Sequence, residues 1–382
     1  MWWHRVSALL GACLGIVAAH GDHDAAIPKI MGGREFLSEI RAKRQDLNRA
    51  ALRKPAKPVQ LVRPSRRQIG GDDGECGPGL GSCAAGYCCS AEGWCGIGPD
   101  YCTSPDCQIN YGPACDGNKV PSGVSTARIA RPKLGSVPYG GAGIYDCAVA
   151  GDIALTFDDG PYSYTGDLLD KLKAYGAKAT FFITGNNLGK GMINDPSKPW
   201  AGYIKRMIAE GHQVASHTWS HQNASQLTNA QFQNQMLYNE VAFNDILGFF
   251  PAYMRPPFSI CERACETILA SLGYHVVYFD LDTEGYLNDD PELIQTSKDI
   301  WDDAVDGSDP AVDSFLQIEH DIHYQTVYNL TDYVLSSLFA HGYRSVTVGE
   351  CLGDPPAYWY RAGSGSLPGG ASPTSAAPSK TS

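Results

Sequence analysis

Two carboxylates stand side by side where an apolar run ends: "IALTFDDGP", residues 153–161, places Asp158 and Asp159 directly before Gly160 and Pro161. Adjacent carboxylates repel, and two in contact become tolerable when a cation or a shared proton stabilises them. Further along, "SHTWSH" (Ser216 to His221) follows the run "HQV" and offers His217 and His221 at i and i+4. On one helical turn two such imidazoles share a face, a spacing that suits a divalent ion. Alone, the spacing does not separate a metal pair from a surface coincidence. Beside the paired carboxylates it describes a His₂Asp ligand set, with positions left for water and substrate.

Bringing these groups together requires strands that end at one level. From about Cys147 to Cys351, short apolar runs ("DIALTF", "ATFFIT", "QVASH", "HVVYFDLD", "SFLQIEHD", "RSVTV") alternate with helix-length stretches ("TGDLLDKLKAYG", "YIKRMIAEG", "NAQFQNQMLYNEVAFNDILG", "ACETILASLG", "TVYNLTDYVLSSLFAHG"). Helices that stop at Gly and hand over to an apolar strand give the rhythm of a β/α barrel or a wound parallel sheet. Chemistry in such folds gathers at the C-terminal strand ends. Asp158 and Asp159 lie at one of those ends.

Taken in order, "TFDDG", "SHTWSH", "RPPF" and "IEHDIH" resemble the NodB-type polysaccharide deacetylases, carbohydrate esterase family 4. The resemblance implies an α/β fold, a distorted (β/α) barrel, and metal-assisted hydrolysis of an acetyl group on a polysaccharide. It implies Asp158 as general base, Asp159, His217 and His221 as metal ligands, and the backbone N–H of Phe258, after "RPP", as oxyanion donor. His320 falls at the general acid, and Ile318, where Leu is usual, lines the pocket for the acetyl methyl. Asp282 of "DLDTEGY" matches a carboxylate that keeps the acid histidine charged, and Arg255 matches the arginine that orients the base. On residue type alone His320 also reads as a satisfied core histidine, and Arg255 as a surface ion pair. The chain departs from the family at Gly285 and Tyr286, where an Asp followed by Trp is common; Tyr286 can still close over a methyl. The cofactor implied is a divalent metal ion, with zinc suited to the ligand set and cobalt admitted.

Residues 76–115 hold eight cysteines, a density at which cross-links replace a hydrophobic core. Sequence alone does not choose among about 105 pairings. The adjacent Cys88 and Cys89, followed by "SAEGWCG" and "YC", resemble the hevein-like chitin-binding module. That resemblance implies the pairs Cys76–Cys89, Cys83–Cys95, Cys88–Cys102 and Cys107–Cys115, with Ser90, Trp94 and Tyr101 holding N-acetylglucosamine. Glu92 stands where many members carry another aromatic. A cystine-rich spacer without a ligand is the plainer alternative. Of the remaining cysteines, Cys147 and Cys351 bracket the larger domain and Cys261 and Cys265 close a small loop, as in fungal members of the family. Cysteine ligation of the metal competes with that reading, and the complete oxygen and nitrogen set stands against it.

The chain of 382 residues is 43% hydrophobic and 19% charged, enough for one large core and smaller modules. Residues 1–20 read as a secretory signal, with an apolar stretch from Val6 to Ala19 too short for a membrane span. Of the 13 cysteines, Cys13 leaves with it and an even 12 remain. Residues 21–74 form a basic pro-segment or linker: from Gly21 to Arg67 there are 12 Lys plus Arg against 5 Asp plus Glu. Its "RAKR" and "RPSRR" read equally as processing sites or as uncut linker. From Gln68 onward the balance reverses to 17 against 36, which argues against nucleic-acid partners. Residues 116–146 read as a Gly/Pro/Ser linker between the module (75–115) and the deacetylase domain (147–354), and 355–382 as a Ser/Pro/Gly-rich tail. Asn223 and Asn329 head glycosylation sequons.

The expectation is a secreted monomer, extracellular or in a cell wall, with no membrane partner. Its module holds chitin or chitooligosaccharides while the metal-dependent domain removes their N-acetyl groups, leaving chitosan and acetate. The alternatives are a deacetylase of peptidoglycan or xylan, and a chitin-binding, lectin-like protein whose larger domain is inert.

Overall fold

The structure is a computed structural model that describes residues 74–368. The secretory signal, the basic segment with its dibasic sites and the end of the tail lie outside the described residues. In the cystine-rich module β1 (Cys88–Cys89) pairs antiparallel with β2 (Cys95–Gly96), and one short turn of helix, α1 (Pro99–Cys102), follows. Four disulfides, Cys76–Cys89, Cys83–Cys95, Cys88–Cys102 and Cys107–Cys115, supply its interior.

The apolar run that ends in the paired carboxylates becomes β3 (Asp152–Asp158), buried at all seven positions. A strand covered on both faces needs this unbroken apolar character rather than alternation. After it come α2 (Thr165–Tyr175), β4 (Thr180–Ile183), α3 (Trp200–Ala209), β5 (Gln213–Ser216), α4 (Asn229–Leu247), β6 (Phe249–Pro251) and β7 (Tyr253–Met254). The chain continues through α5 (Arg263–Leu272), β8 (His275–Val276), β9 (Leu281–Asp282), α6 (Ile294–Val305), β10 (Phe315–His320), α7 (Thr331–Ala340), β11 (Arg344–Val346), α8 (Val348–Cys351) and β12 (Tyr360–Ala362). The sheet order is β8-β7-β5-β4-β3-β10-β9 with every pairing parallel, and β11 lies along the first residues of β3. This is an α/β half-barrel.

The run "HVVYFDLD" is two strands, not one. Its first residues pair with β7 and its last with β10, at the two opposite ends of the sheet. Between them Val277 N–H bonds to Met254 O and Asp280 N–H to Leu316 O, so one segment crosses the gap and distorts the barrel. Helix α6 escapes a reading based on apolar runs, because Ile294, Ser297, Trp301, Ala304 and Val305 are its buried stripe in an otherwise polar stretch.

Residues 116–146 are not a free linker. The buried carboxylate of Glu240 on α4 accepts from the Thr126 hydroxyl (2.5 Å), from both Nη atoms of Arg131 (2.7 Å each) and from the Tyr274 hydroxyl (2.7 Å). Ile144 bridges Val277 in parallel, and Cys147–Cys351 fastens the strap to α8. Gly, Pro and Ser suit an irregular strap as well as a tether, since neither has a repeating backbone pattern. Cys261 and Cys265 close a loop before α5.

Replacing Glu240 by Ala leaves Arg131 half-buried without its partner. Such an orphaned ion costs about 3–5 kcal/mol. Glu240→Ala is therefore expected to lower the urea midpoint by that equivalent with little change in slope. An unchanged midpoint would show that the strap contributes nothing to the fold.

Candidate metal and catalytic site

The C-terminal ends of β3, β5, β7, β9 and β10 meet at one rim. His320 is the register partner of Asp158, Ile318 that of Asp282, and Ser216 that of Met254. His217 and Arg255 each follow a strand end directly, so the sheet fixes where their side chains start. A cavity of about 220 Å³ opens among Asp158, Asp159, His217, His221, Arg255, Phe258, Asp282, Tyr286, Ile318, His320 and His323.

The two carboxylates have different company. Asp158 Oδ1 accepts from Nη1 of Arg255 at 2.7 Å, and the same Nη1 donates to Thr156 Oγ1 at 2.7 Å. Nη2 of Arg255 donates to Tyr278 O at 2.7 Å, and its guanidinium lies 4.2 Å from the Phe182 ring centroid. Burial pushes the pKa of Asp158 up to about 7, against the opposing pull of Arg255. Burial also acts to raise Asp159, but His221, His217 and His320 outweigh it and hold this carboxyl at about 2.

Asp159 Oδ1 lies 3.2 Å from His221 Nε2 and 3.7 Å from His217 Nε2. His217 Nδ1 sits 2.7 Å from Arg255 O, which makes Nδ1 the protonated nitrogen and leaves the Nε2 lone pair facing both carboxylates, 3.7 Å from an oxygen of each. Burial holds this imidazole's pKa well below its ordinary value, in the neutral form a metal ligand needs. Asp159 Oδ1 is buried without a hydrogen-bond partner. An orphan carboxylate oxygen beside two imidazole nitrogens fits a divalent cation. Another His/Cys/Asp/Glu triple of similar closeness among the described residues is Cys76, Cys83 and Cys89, and all three are in disulfides.

His217 and His221 do not sit on a helical turn. Residues 217–222 form a loop in which Thr218 (φ 68) and His221 (φ 55) are left-handed. The i, i+4 spacing brings the imidazoles together, 4.9 Å between centroids, by a strained loop instead. Asp159 (φ 75) and Phe258 (φ 57) are left-handed too. Each such residue costs about 1–3 kcal/mol and persists where its surroundings fix it.

Around the cavity, the Phe258 ring meets His221 edge to face at 4.5 Å and Tyr286 meets His320 at 5.3 Å. Asp282 does not hydrogen-bond His320. Its Oδ1 accepts from Glu284 N–H (2.8 Å) and its Oδ2 from the Tyr286 hydroxyl (3.5 Å), while His320 Nδ1 is buried without a partner. Burial raises Asp282 to about 6 and lowers His320 to about 4, so the expected charged pairing is absent. The carboxylate is turned into its own loop. Gly285 also has a local reason: a Cβ there would lie 2.4 Å from Glu319 Oε2 and 2.9 Å from Thr326 Oγ1. Ser90 is buried in the module and donors nearby engage it, with Trp94 N–H 3.4 Å from its hydroxyl. Trp94 is 47% exposed, and Tyr101 is half-buried. Asn223 Oδ1 caps its own turn through Ser225 N–H, and Asn329 Oδ1 accepts from Lys298.

Three buried residues escape sequence reasoning. Lys190 donates to Asp159 O, Gly160 O and Thr184 Oγ1, each at 2.9 Å, and so holds the left-handed turn at Asp159. Asp321 accepts from the Thr165 hydroxyl and leaves no room for a side chain at position 160, where a Cβ would lie 2.2 Å from its Oδ2. Glu319 takes the hydroxyls of Thr283 and Thr326. Lys190 sits in "NLGKGM", where nothing in the pattern marks it, whereas Glu319 and Asp321 lie inside the quoted "IEHDIH".

Residues 146–277 match the family model described as polysaccharide deacetylase. A chitin deacetylase of Colletotrichum lindemuthianum is 42% identical over 222 residues, which cover 58% of this chain and 88% of that protein. A chitin deacetylase of Pestalotiopsis sp is 40% identical over 242 residues, 63% of this chain and 77% of that protein. The solved structure of the chitin deacetylase from the fungal pathogen Colletotrichum lindemuthianum matches with a TM-score of 0.56 at 42% identity, over 59% of this chain and 97% of that one. The chain belongs to the polysaccharide deacetylase family. Its disulfide framework at residues 76–115 fits a hevein-like module.

Burial raises Glu319 from 4.5 to about 8. In that window the unfolded chain binds fewer protons than the folded one, so this group's contribution is complete below about pH 4.5 and lost as pH rises through about 8. Glu319→Gln is expected to match the parent's thermal midpoint at pH 5 and to exceed it at pH 8. Parallel midpoints across that range would contradict a neutral Glu319.

Proposed function

We propose that this chain is a secreted, metal-dependent chitin deacetylase, hydrolysing the N-acetyl groups of N-acetylglucosamine units to leave chitosan and acetate. The observation that carries the chemistry is the split of the carboxylate pair. Asp159 lies beside His221 and His217 nitrogens, and its neighbour, tied to a buried guanidinium, has its pKa pushed up by burial to about 7. Support for chitin comes from relatives named as chitin deacetylases and from a cystine-rich module that presents Trp94 to solvent. An exposed indole face suits the apolar face of a sugar ring.

Asp159, His217 and His221 would hold the cation, zinc by preference with cobalt admitted. A divalent ion there supplies Lewis-acid polarisation of the acetyl carbonyl and acidifies water. Asp158, held in place by Arg255, takes the proton from the attacking water. A base with a pKa near the working pH combines availability with driving force. The backbone N–H of Phe258 is the donor for the oxyanion that develops on the acetyl group. Ile318 and Tyr286 enclose the methyl. Negative charge growing on the substrate raises the pKa of His320 beside it, so that His320 takes a proton from solvent and passes it to the departing amine, while the proton on Asp158 returns to solvent. Asp282 shapes the loop that presents Tyr286.

Export fits six disulfides and no helix among the described residues long and apolar enough to cross a membrane. The working unit is a monomer.

Asp158→Asn keeps an acceptor for Arg255 but cannot take a proton. Its kcat on soluble chitin oligomers is expected to fall by about 10²–10⁴, with retention on insoluble chitin unchanged. Turnover within tenfold of the parent would remove Asp158 as the base.

A further inference from the structure

The loop that carries His221 is gripped from two sides. From the catalytic domain, Gln235 Oε1 on α4 accepts from Ser220 N–H (2.8 Å) and from the Ser220 hydroxyl (2.9 Å). The other side is the cystine-rich module and the strap that leaves it. Gln222, the residue after His221, donates through Nε2 to Pro105 O at 3.0 Å. A Cβ on Gly117 would lie 2.7 Å from Ser220 Oγ, so the strap backbone packs directly against the loop. Leu227 belongs to two clusters at once, packing on the domain core and on the module's Cys88, Cys107, Ile109 and Cys115.

The facing loop is held in the same way. Gly185 and Asn186 donate their N–H groups to Thr218 O and Trp219 O, which joins loop 185–188 to the His221 loop. Leu188, itself left-handed (φ 52), then donates its N–H to Ser104 O at 2.8 Å, and Asn186 Nδ2 donates to Asp116 O at 3.1 Å. Left-handed backbones at Leu188, Thr218 and His221 need surroundings that over-determine them. The module and strap supply a large part of those surroundings. A module that only raised the local concentration of substrate would need none of these contacts.

We infer that the cystine-rich module is a positioning element of the metal centre: docked on loops 185–188 and 218–227, it fixes His221 where it can ligate the ion. The inference rests on the reading of Asp159, His217 and His221 as metal ligands. It makes the module necessary for hydrolysis of small soluble oligomers, which a tether would not be. Tyr101, on the face expected to hold sugar, packs into the same cluster as Leu227, so the polymer-holding face and the metal loop share one support.

The test uses the full chain with Leu227→Glu, which places a charge in the docking contact and leaves both the metal ligands and Trp94 intact. The dissociation constant for zinc, measured by competition with a chromophoric chelator, is expected to rise about 10- to 100-fold, the usual cost of removing support from a ligand. The kcat on a short soluble oligomer falls with it. Hydrogen exchange is expected to speed up across 218–227. If Leu227→Glu does not fold, Gln222→Ala removes only the hydrogen bond to Pro105 O and is expected to weaken zinc binding severalfold. Unchanged zinc affinity in a folded variant whose 218–227 segment exchanges faster would overturn the inference. A parent protein that binds no zinc would instead overturn the metal reading on which it rests.

Discussion

The side chains of Asp158 and Asp159 leave the end of β3 in opposite company, and the rest of the domain is arranged around that separation. Arg255 stands against Asp158 and His221 against Asp159, while His217 Nε2 lies 3.7 Å from an oxygen of each. Burial raises both carboxyls, yet the different neighbours place them near 7 and 2. Two identical residues thereby acquire different properties, one held ionised at low pH and one that takes a proton near neutrality. Like charges at adjacent positions become an asset once each has its own counter-group.

That arrangement is costly to hold. The Asp159 carboxylate sits on a left-handed residue whose carbonyl is captured by Thr184 and Lys190, and the facing His221 sits on another. Lys190 is a buried amine bonded to two carbonyls and a hydroxyl, its pKa lowered by burial to about 7, which has no evident purpose in an ordinary core. It makes sense as a strut under the turn that carries Asp159. The strap at residues 116–146 and the module extend this support outward, from α4 and Glu240 to the loop beside His221.

Much of this was legible in the residues. "IALTFDDGP" ends a fully buried strand, and each of "SHTWSH", "RPPF" and "IEHDIH" does meet the same rim, since parallel strands bring their C-terminal ends to one level. What pattern could not give was long-range or backbone geometry. The i, i+4 histidines suggested a helix, because their spacing cannot register that Thr218 and His221 take positive φ. Asp282 was expected beside His320 on a family match, but its carboxylate is bound by Glu284 N–H two residues away, a choice made by local loop shape. The segment 116–146 read as a linker because composition describes irregularity and says nothing of partners. Lys190 was invisible, since a lone lysine between glycines reads as solvated until its burial is known.

The central claim is that Asp159, His217 and His221 hold the ion on which hydrolysis depends. Acetate release from chitin oligomers by the full chain, stripped of metal with a chelator and then resupplied with zinc, tests it most directly. The account predicts negligible release after stripping and its return on adding zinc. Release that persists in the stripped protein, or that fails to return although zinc and oligomer both bind, would contradict it.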